Sequence, residues 1–229
     1  MTQELHYNQI PMDFGFFTKK TFDNFIIGDN KDLFNCIHNL TNSDQVILIY
    51  GSKSSGKSHI CEATYNQYIR SAFFIDDKSI LLNNISNDFY ELLIIDNLDK
   101  LISSKKDEEL LFTLVNNQIL HKKPLVVSLS KDIEDCNITL KDLSSRLLSD
   151  KIFTIRDLND LEKIDMMTSY CSQRGLEISE KVLHYIINNC TRDLYFLCAL
   201  MKSLDNVSLS MKKKITIPFI KKVIEIYHS

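Results

Sequence analysis

Glycine is scarce in this chain, with five residues in 229, so the position of each one is informative. Two of the five are Gly51 and Gly56, which bracket the loop Gly-Ser-Lys-Ser-Ser-Gly-Lys-Ser. The apolar, β-branched run 45–50 precedes this loop, and a helix-compatible stretch follows it. A strand, this loop and a helix in that order predict a phosphate-binding loop, and two chance glycines at this spacing are the much weaker explanation.

Other absences exclude whole classes of protein. Basic residues are not in excess, with 27 Lys and Arg against 30 Asp and Glu and a net charge of −3, which argues against an autonomous DNA-binding protein. The six cysteines include no Cys-x-x-Cys pair and no metal-ligand spacing, so we expect free thiols in a reducing compartment. The sequence has no apolar run of membrane-spanning length and no signal-peptide pattern. We therefore expect a cytoplasmic protein with no membrane partner.

The glycine loop carries the groups that phosphate binding requires. Its backbone N–H groups can turn inward around a phosphate, and the N-terminus of the following helix adds a positive partial charge. Lys57 would contact the outer phosphates, and the Ser58 hydroxyl would bind Mg²⁺. The predicted phosphate-binding residues are Gly51, Ser54, Ser55, Gly56, Lys57 and Ser58.

An acidic residue ends a later apolar run. Asp96 follows the run 91–95, where a Walker B carboxylate would hold Mg²⁺ through water, and an aspartate of a simple turn is the weaker alternative. Active ATPases of the oligomeric kind usually place a second carboxylate next, to polarise the attacking water. The residue here is Asn97, which can orient a water but cannot take its proton. We therefore expect slow intrinsic hydrolysis.

The order of the patterns predicts an α/β domain followed by a helical one. Apolar strands separated by helices predict a parallel sheet with helices on both faces, whereas the last part of the chain contains only helical patterns. The predicted domains are a tail 1–20, an α/β nucleotide-binding domain 21–157 and a small four-helix lid 158–229. The predicted strands are 45–50, 72–75, 91–97, 125–129 and 152–155, and the predicted lid helices are 159–173, 179–188, 191–205 and 217–227.

A short motif in the tail has two interpretations. Gln9 is followed by the spaced apolar residues Ile10, Met12 and Phe14. Such a peptide can insert its apolar side chains into a groove of a partner while Gln9 bonds to the rim. From spacing alone, a tail that packs its aromatics on its own domain is the better explanation, because short motifs are common by chance.

Arg146 is a second residue with two interpretations. It lies in Ser-Ser-Arg near the end of the α/β domain, before the last strand. An arginine there can project into the nucleotide site of a neighbouring subunit and neutralise charge on the transferring phosphoryl group. An ordinary surface ion pair explains the residue equally well.

Several segments together resemble a known family. In chain order they are similar to the AAA+ module of the bacterial replication initiator DnaA, and the ending is similar to that of its shorter relatives, the Hda family of DnaA regulatory inactivators. The Hda-like features are a chain that stops after the lid, no N-terminal helicase-loading domain, and a Gln-led hexapeptide where Hda-like proteins bind the sliding clamp. The segments that carry the resemblance are 21–30, 51–58, 92–97, 143–146, 174–179 and 214–220.

The resemblance implies a role for each candidate residue. Phe25, Ile26 and Ile27 would line an adenine pocket, and His59 and Arg192 would join the loop residues around ADP or ATP. Asp96 and Ser58 would hold Mg²⁺. Arg146 would be an arginine finger offered to ATP on DnaA. The resemblance reverses the preference on the tail, because Gln9, Ile10, Met12 and Phe14 match the clamp-binding position.

The sequence departs from the family pattern at two sensor positions. Ser130 stands where the initiator usually has a sensor aspartate, and Tyr195 stands in the column of the lid's sensor arginine, with Arg192 one turn earlier. Arg192 could still reach the phosphates, but a capping or surface role explains it at least as well. These changes bear on whether the protein distinguishes ATP from ADP.

The resemblance implies a negative regulator of replication initiation. Such a protein would bind the DNA polymerase sliding clamp and DnaA, and would contact DNA only through the clamp. It could also self-associate as a homo-oligomer. The alternative is an autonomous ATPase, such as a helicase-loader-like motor, which the complete P-loop favours and Asn97 disfavours. A small-molecule kinase is a distant third, because no substrate pocket or lid arginines are recognisable.

Overall fold

The computed structural model describes four stretches of the chain, namely residues 19–40, 46–83, 89–211 and 215–228. The predicted clamp-binding residues Gln9, Ile10, Met12 and Phe14 lie outside the described residues. Within those four stretches, no helix is both long and apolar enough to cross a membrane.

Five short strands form one sheet, and every pair of neighbours is parallel, as the sequence predicts. The strands are β1 Val46–Tyr50, β2 Ala72–Ile75, β3 Leu92–Ile95, β4 Leu125–Ser128 and β5 Lys151–Thr154. Their order is β2-β3-β4-β1-β5, so β1 lies inside the sheet and its carboxyl end lies between those of β4 and β5. Ligands of open parallel sheets bind beyond the carboxyl ends of the strands, and the glycine loop begins there.

Helices cover both faces of the sheet. They are α1 Lys31–His38, α2 Lys57–Gln67, α3 Lys78–Asn83, α4 Leu98–Leu101, α5 Lys105–Leu120 and α6 Lys141–Leu147. Successive side chains of a strand point to opposite faces of the sheet, so alternate residues pack in two separate cores, one on each face. Leu48 and Leu93 pack with α5 and α6, whereas Ile47 and Ile94 pack with α1 and α2. Burial on both faces explains why the strands are continuous apolar runs.

The last part of the chain forms a helical lid with its own core. Its helices are α7 Asp160–Arg174, α8 Glu180–Asn189, α9 Leu194–Met211 and α10 Ile217–His228. Gly175, at φ 64°, ends α7 in the left-handed conformation that favours glycine. The third lid helix begins at Leu194 and not at 191 as predicted, so Arg192 lies in the connection before it.

A buried ionic group ties α7 to α9 inside the lid. Asp205 is 2% exposed, and its Oδ2 accepts hydrogen bonds from Arg174 Nε at 2.8 Å and from the Tyr170 hydroxyl at 3.2 Å. Burial, followed by the negative charge of Asp205, raises the pKa of Tyr170 to about 12, so the phenol stays protonated and able to donate. The carboxylate therefore joins two donors of one helix to the core of another.

Removal of this carboxylate should destabilise the lid. We expect Asp205→Ala to lower the free energy of unfolding by about 2–4 kcal/mol, because it removes the buried carboxylate that accepts from Tyr170 and Arg174, and the partial exposure of Arg174 limits the loss. Urea unfolding curves followed by circular dichroism measure the change. Asp165→Ala, at an exposed position of α7, is the control and should stay within about 0.5 kcal/mol of the parent. Equal curves for the two variants would contradict the prediction.

Candidate functional site

Both glycines of the loop are required by the backbone. A Cβ atom on Gly51 would lie 2.6 Å from Ile155 Cγ2 and 2.7 Å from the Ile155 carbonyl oxygen, which is too close for any side chain. Gly56 has φ +104° and forms the N-cap of α2. The first glycine therefore allows the loop to pass against the residue after β5, and the second allows it to turn into the helix. The loop has the path that a phosphate-binding loop needs.

Lys57 is the first residue of α2, and it is only 6% exposed. Its ammonium donates to the carbonyl oxygens of Gly51 at 2.9 Å and Ser52 at 2.6 Å. Burial lowers the pKa of Lys57, while the nearby carboxylate of Asp96 opposes that shift. The ammonium is thus held among loop oxygens, and a phosphate oxygen would be a stronger acceptor for it, because a charged acceptor makes the stronger hydrogen bond.

The end of β3 carries the second part of the site. Asp96 is 5% exposed, and its Oδ1 accepts from the buried Ser128 hydroxyl on β4. Its other oxygen accepts from Asn97 Nδ2 at 3.0 Å, and the same amide nitrogen lies 3.4 Å from Ser58 Oγ. The predicted Mg²⁺ residues Ser58 and Asp96 are therefore joined through Asn97 in one hydrogen-bonded group.

Hydrogen bonds of both its backbone and its side chain hold Asn97 in this group. It has φ 50° and ψ 51°, a left-handed conformation that asparagine tolerates better than most residues, and it is the N-cap residue of α4. Its backbone N–H donates to Ser128 Oγ at 2.7 Å, and its Oδ1 accepts from Lys100 Nζ at 3.0 Å. A fixed carboxamide can orient a water molecule, but it has no basic group that accepts a proton.

The oxygen donors fit Mg²⁺ bound together with phosphates. Ser58 supplies a hydroxyl and Asp96 a carboxylate, and these are hard oxygen ligands of the kind that Mg²⁺ prefers. Within the described stretches, no group of three or more His, Cys, Asp and Glu residues is arranged to hold a metal. Mg²⁺ commonly takes one or two protein carboxylates and completes its shell with phosphate oxygens and water. The donor set therefore suits a metal that arrives with a nucleotide.

The segment 21–30 lies against the loop, where the resemblance implies an adenine pocket. Phe25 is 8% exposed, and a Cβ on Gly56 would lie 3.4 Å from its ring. Ile27 packs with the apolar core shared by α1 and α2, whereas Ile26 packs with the core of the lid. Phe25 thus lies next to the loop, Ile26 packs with the lid, and Ile27 packs with the core of the α/β domain.

The His59 side chain is hydrogen-bonded to the segment 21–30. Its Nε2 lies 2.9 Å from Asn24 Oδ1 and 3.2 Å from the Thr21 carbonyl oxygen, two acceptors that require the proton on Nε2. Burial lowers its pKa to about 4, so the ring is neutral at pH 7. The ring also makes an edge contact with Phe25, at 5.4 Å between ring centroids. His59 therefore holds the segment that carries Phe25.

Asn30 joins the same segment to the end of the sheet. It occupies the N-cap position of α1, but its side chain makes no capping bond. Its Nδ2 donates to the Arg156 carbonyl at 3.2 Å, and its Oδ1 accepts from the Arg156 N–H at 2.7 Å. The amide thus acts as a clamp between the segment and the residues after β5.

The lid faces the loop through an aromatic residue. Lys53 Nζ lies 5.9 Å from the centroid of the Tyr195 ring at the start of α9. Arg192 instead pairs with Asp160 at the start of α7, with Nη1 and Oδ2 3.1 Å apart. Of the two lid residues considered from the sequence, Tyr195 is the one that the structure brings to the loop.

Two serines near the end of β4 have separate roles. Ser130, at the predicted sensor position, donates through its N–H and hydroxyl to Asp99 on α4. Ser128 is fully buried and bonds directly to Asp96, and sequence reasoning missed it. The signal was present: a hydroxyl that ends an otherwise apolar strand, where β4 lies next to β3.

Arg146 lies apart from this group, on the last turn of α6. It is exposed, and its guanidinium makes no ion pair with any residue that the structure describes. Two apolar side chains that follow it in the chain are also exposed, Leu148 at 42% and Ile152 at 44%. Ile152 lies on β5, the strand at one edge of the sheet. An exposed arginine with no ion pair among the described residues is available to a partner molecule.

The parallel sheet, the loop after β1, the acidic end of β3 and the helical lid define a P-loop protein of the AAA+ class. A family profile described as "Hda, lid domain" matches residues 160–224. An uncharacterised protein of Haemophilus influenzae is 30% identical over 231 aligned positions, which cover 95% of this chain and 99% of that one.

Solved structures give the same fold. Domain III of the replication initiation protein DnaA from Thermotoga maritima is 16% identical, with a TM-score of 0.80 over 94% of this chain and 98% of that chain. AMPPCP-bound DnaA from Aquifex aeolicus is 19% identical, with a TM-score of 0.68 over 82% of this chain. This chain spans 65% of that longer protein, which is less than two thirds. The chain belongs to the Hda/DnaA-related AAA+ family.

Proposed function

We propose that this chain is a nucleotide-bound negative regulator of replication initiation, which binds the DNA polymerase sliding clamp and stimulates hydrolysis of ATP bound to DnaA. The observation that carries the proposal is Arg146, an exposed guanidinium with no ion pair among the described residues. An arginine of this kind can reach the nucleotide of a neighbour and neutralise the charge that develops during phosphoryl transfer. The family match of the lid supports DnaA as that neighbour.

The chain's own site would hold ADP or ATP with Mg²⁺. The loop N–H groups and Lys57 would bind the phosphates, Ser58 and Asp96 would hold the metal, and Phe25 would contact the base. A bound Mg²⁺ would neutralise phosphate charge and fix the geometry of the phosphates. Asn97 orients water but cannot activate it, so the nucleotide would persist. In this proposal the site regulates the lid, and the hydrolysed ATP is on DnaA.

In this proposal each of the three parts of the chain has its own role. The tail 1–20 would recruit the protein to clamps that have been loaded on DNA. The α/β domain 21–157 would carry the nucleotide and present Arg146, and the lid 158–229 would close over the nucleotide. DNA would then be reached through the clamp, which agrees with the absence of a basic excess in the sequence.

Clamp capture tests the first step. We expect Gln9→Ala combined with Phe14→Ala to remove retention of the full chain on immobilised clamp, with a loss of at least about tenfold in affinity, because an anchor aromatic and a rim hydrogen bond disappear together. Surface plasmon resonance measures the affinity.

The matched control for the clamp experiment is Phe16→Ala with Phe17→Ala, which removes neighbouring aromatics outside the motif. The motif assignment predicts that this control keeps its affinity. Retention of the Gln9→Ala, Phe14→Ala variant at the parent affinity would remove the clamp from the proposal.

An autonomous ATPase remains the second candidate. It is favoured by one observation, namely that the loop has a buried Lys57 and that Asn97 joins Ser58 to the buried Asp96 by hydrogen bonds. It is disfavoured by Asn97, which takes the place of a second carboxylate. Hydrolysis by the isolated chain separates the two candidates.

A further inference from the structure

The helix that carries Arg146 has no cap of its own. The N-cap residue of α6 is Leu140, which has no polar side chain, and Thr139 precedes it. The first N–H groups of a helix have no partner within the helix, so they need an acceptor from elsewhere. A cap side chain from outside is therefore needed at this position if the helix is to begin here.

Glu108 on α5 supplies this acceptor. Its carboxylate accepts from the Leu140 N–H at 2.6 Å, from the Thr139 N–H at 3.1 Å to each oxygen, and from the Thr139 hydroxyl at 3.0 Å and 3.1 Å. Three donors at the start of α6 thus converge on one side chain that lies 31–32 residues earlier in the chain. A negative charge at a helix N-terminus also interacts favourably with the helix dipole.

Glu108 holds this position as a buried carboxylate, with 3% of its surface exposed. Burial alone would raise its pKa, but the hydrogen bonds from Thr139 and Leu140 prevail and lower the pKa. The group is therefore ionised at pH 7, and its loss would leave buried donors without an acceptor.

The apolar contacts of α6 are less directional than these hydrogen bonds. Leu143 and Leu147 are fully buried in the core that contains Leu111 and Leu114 of α5. Apolar burial holds the helix on α5, whereas the Glu108 bonds fix the N-cap residue Leu140 and the residue before it, from which the first turn of α6 starts. Arg146 lies six residues beyond Leu140, about 9 Å along the axis, so a tilt of about 6° would shift it by roughly 1 Å.

We propose that Glu108 is the positioning residue of Arg146: it anchors the N-cap of α6 and so sets the direction in which the guanidinium is offered to a partner's nucleotide. This inference rests on the proposed function of Arg146. It assigns to α5 a part in a reaction that takes place on another molecule.

The test compares Glu108→Gln with Glu109→Gln, the same change at the next residue, which is exposed. Glu108→Gln keeps the size of the side chain but replaces one of the two acceptor oxygens with an NH2 group, which cannot accept from Thr139 or Leu140. We expect it to lower the stimulated rate of ATP hydrolysis on DnaA by roughly 10- to 100-fold, since a misplacement of about 1 Å can cost 10²-fold. Glu109→Gln should keep the parent rate.

Two further readouts separate positioning from folding and from the role of Arg146. Hydrogen exchange of the isolated full chain should speed up in 139–147 for Glu108→Gln and stay unchanged elsewhere. The concentration for half-maximal stimulation should change less than the maximal rate, because the clamp-binding tail is intact. In the double variant with Arg146→Ala, Glu108→Gln should cause no further loss.

The outcomes are distinguishable. If Arg146→Ala abolishes stimulation while Glu108→Gln keeps the parent rate, the positioning role is wrong and the proposed function stands. An unchanged exchange pattern in 139–147 would likewise overturn the positioning role. If Arg146→Ala itself leaves stimulation intact, the proposed function fails, and the exchange data alone decide whether Glu108 anchors α6.

Discussion

Replacement of Arg146 by alanine should reduce the stimulated hydrolysis of DnaA-bound ATP by roughly 10³-fold or more, since arginine fingers contribute about 10³–10⁵ in rate in phosphoryl transfer. The guanidinium is exposed, makes no ion pair within the described part of the chain and lies on a helix whose apolar side is buried. Its removal should therefore cost the protein little stability. The measurement is phosphate release from ATP-bound DnaA, with this chain and clamp loaded on DNA.

Two variants sharpen the Arg146 experiment. Arg146→Lys keeps the charge but loses the planar, bidentate donor pattern, so we expect it to recover only a small part of the rate. Arg70→Ala removes an exposed arginine from the connection before β2, at the opposite edge of the sheet, and should have the parent rate. Full stimulation by Arg146→Ala would refute the trans arginine assignment.

Replacement of Lys57 by alanine should weaken the binding of ADP and ATP by roughly 10²–10³-fold, because a buried charge-assisted contact to phosphate is worth about 3–4 kcal/mol. Lys57 is 6% exposed and its ammonium lies among the loop oxygens. Isothermal titration calorimetry of the isolated chain gives the affinities.

Lys53→Ala is the matched control, because it removes an exposed lysine from the same loop. We expect its effect on affinity to stay below about tenfold, as a partly exposed charge is worth far less than a buried one. Hydrolysis by the isolated parent chain is measured alongside. Rapid turnover that disappears in Lys57→Ala would favour the autonomous ATPase over the regulator.

The fold and the centre of the site could be predicted because their signals are local. The loop 51–58 follows an apolar strand directly, and Asp96 ends another, so adjacent sequence contains strand, turn and ligand together. In a parallel sheet the carboxyl ends of neighbouring strands meet at one edge, which is why the loop and Asp96 are close in space. The parallel sheet and the four lid helices are confirmed for the same reason, since periodicity is a local property.

Contacts between distant segments could not be predicted. Nothing adjacent to Glu108 in the sequence indicates that it binds the N-cap of a helix that begins 33 residues later. Nothing adjacent to Asn30 indicates that its amide binds Arg156. Such bonds depend on where the packing of whole elements brings two side chains. Ser128 is the intermediate case, because its place on a strand was predictable and its partner was not.

The lid shows a third kind of limit. Comparison with the family pattern places Tyr195 where the lid's sensor arginine would be, with Arg192 one turn earlier as the nearest arginine. The helix, however, begins at Leu194, so Arg192 falls in a connection and pairs with Asp160, while the Tyr195 ring lies near Lys53. A shift of three residues in a helix start changes which side chain faces the loop, and capping at that end is not visible in the periodic pattern.

The position of Ile26 has a consequence for how the chain is made. Ile26 is synthesised well before the lid, yet its side chain packs with the lid core, whose members extend to Ile220. Its neighbours Phe25 and Ile27 pack with the core of the α/β domain, which is complete much earlier in synthesis. The segment 21–30 is therefore synthesised before the lid but fully packed only after it, and a nascent chain without its lid would expose Ile26 to water.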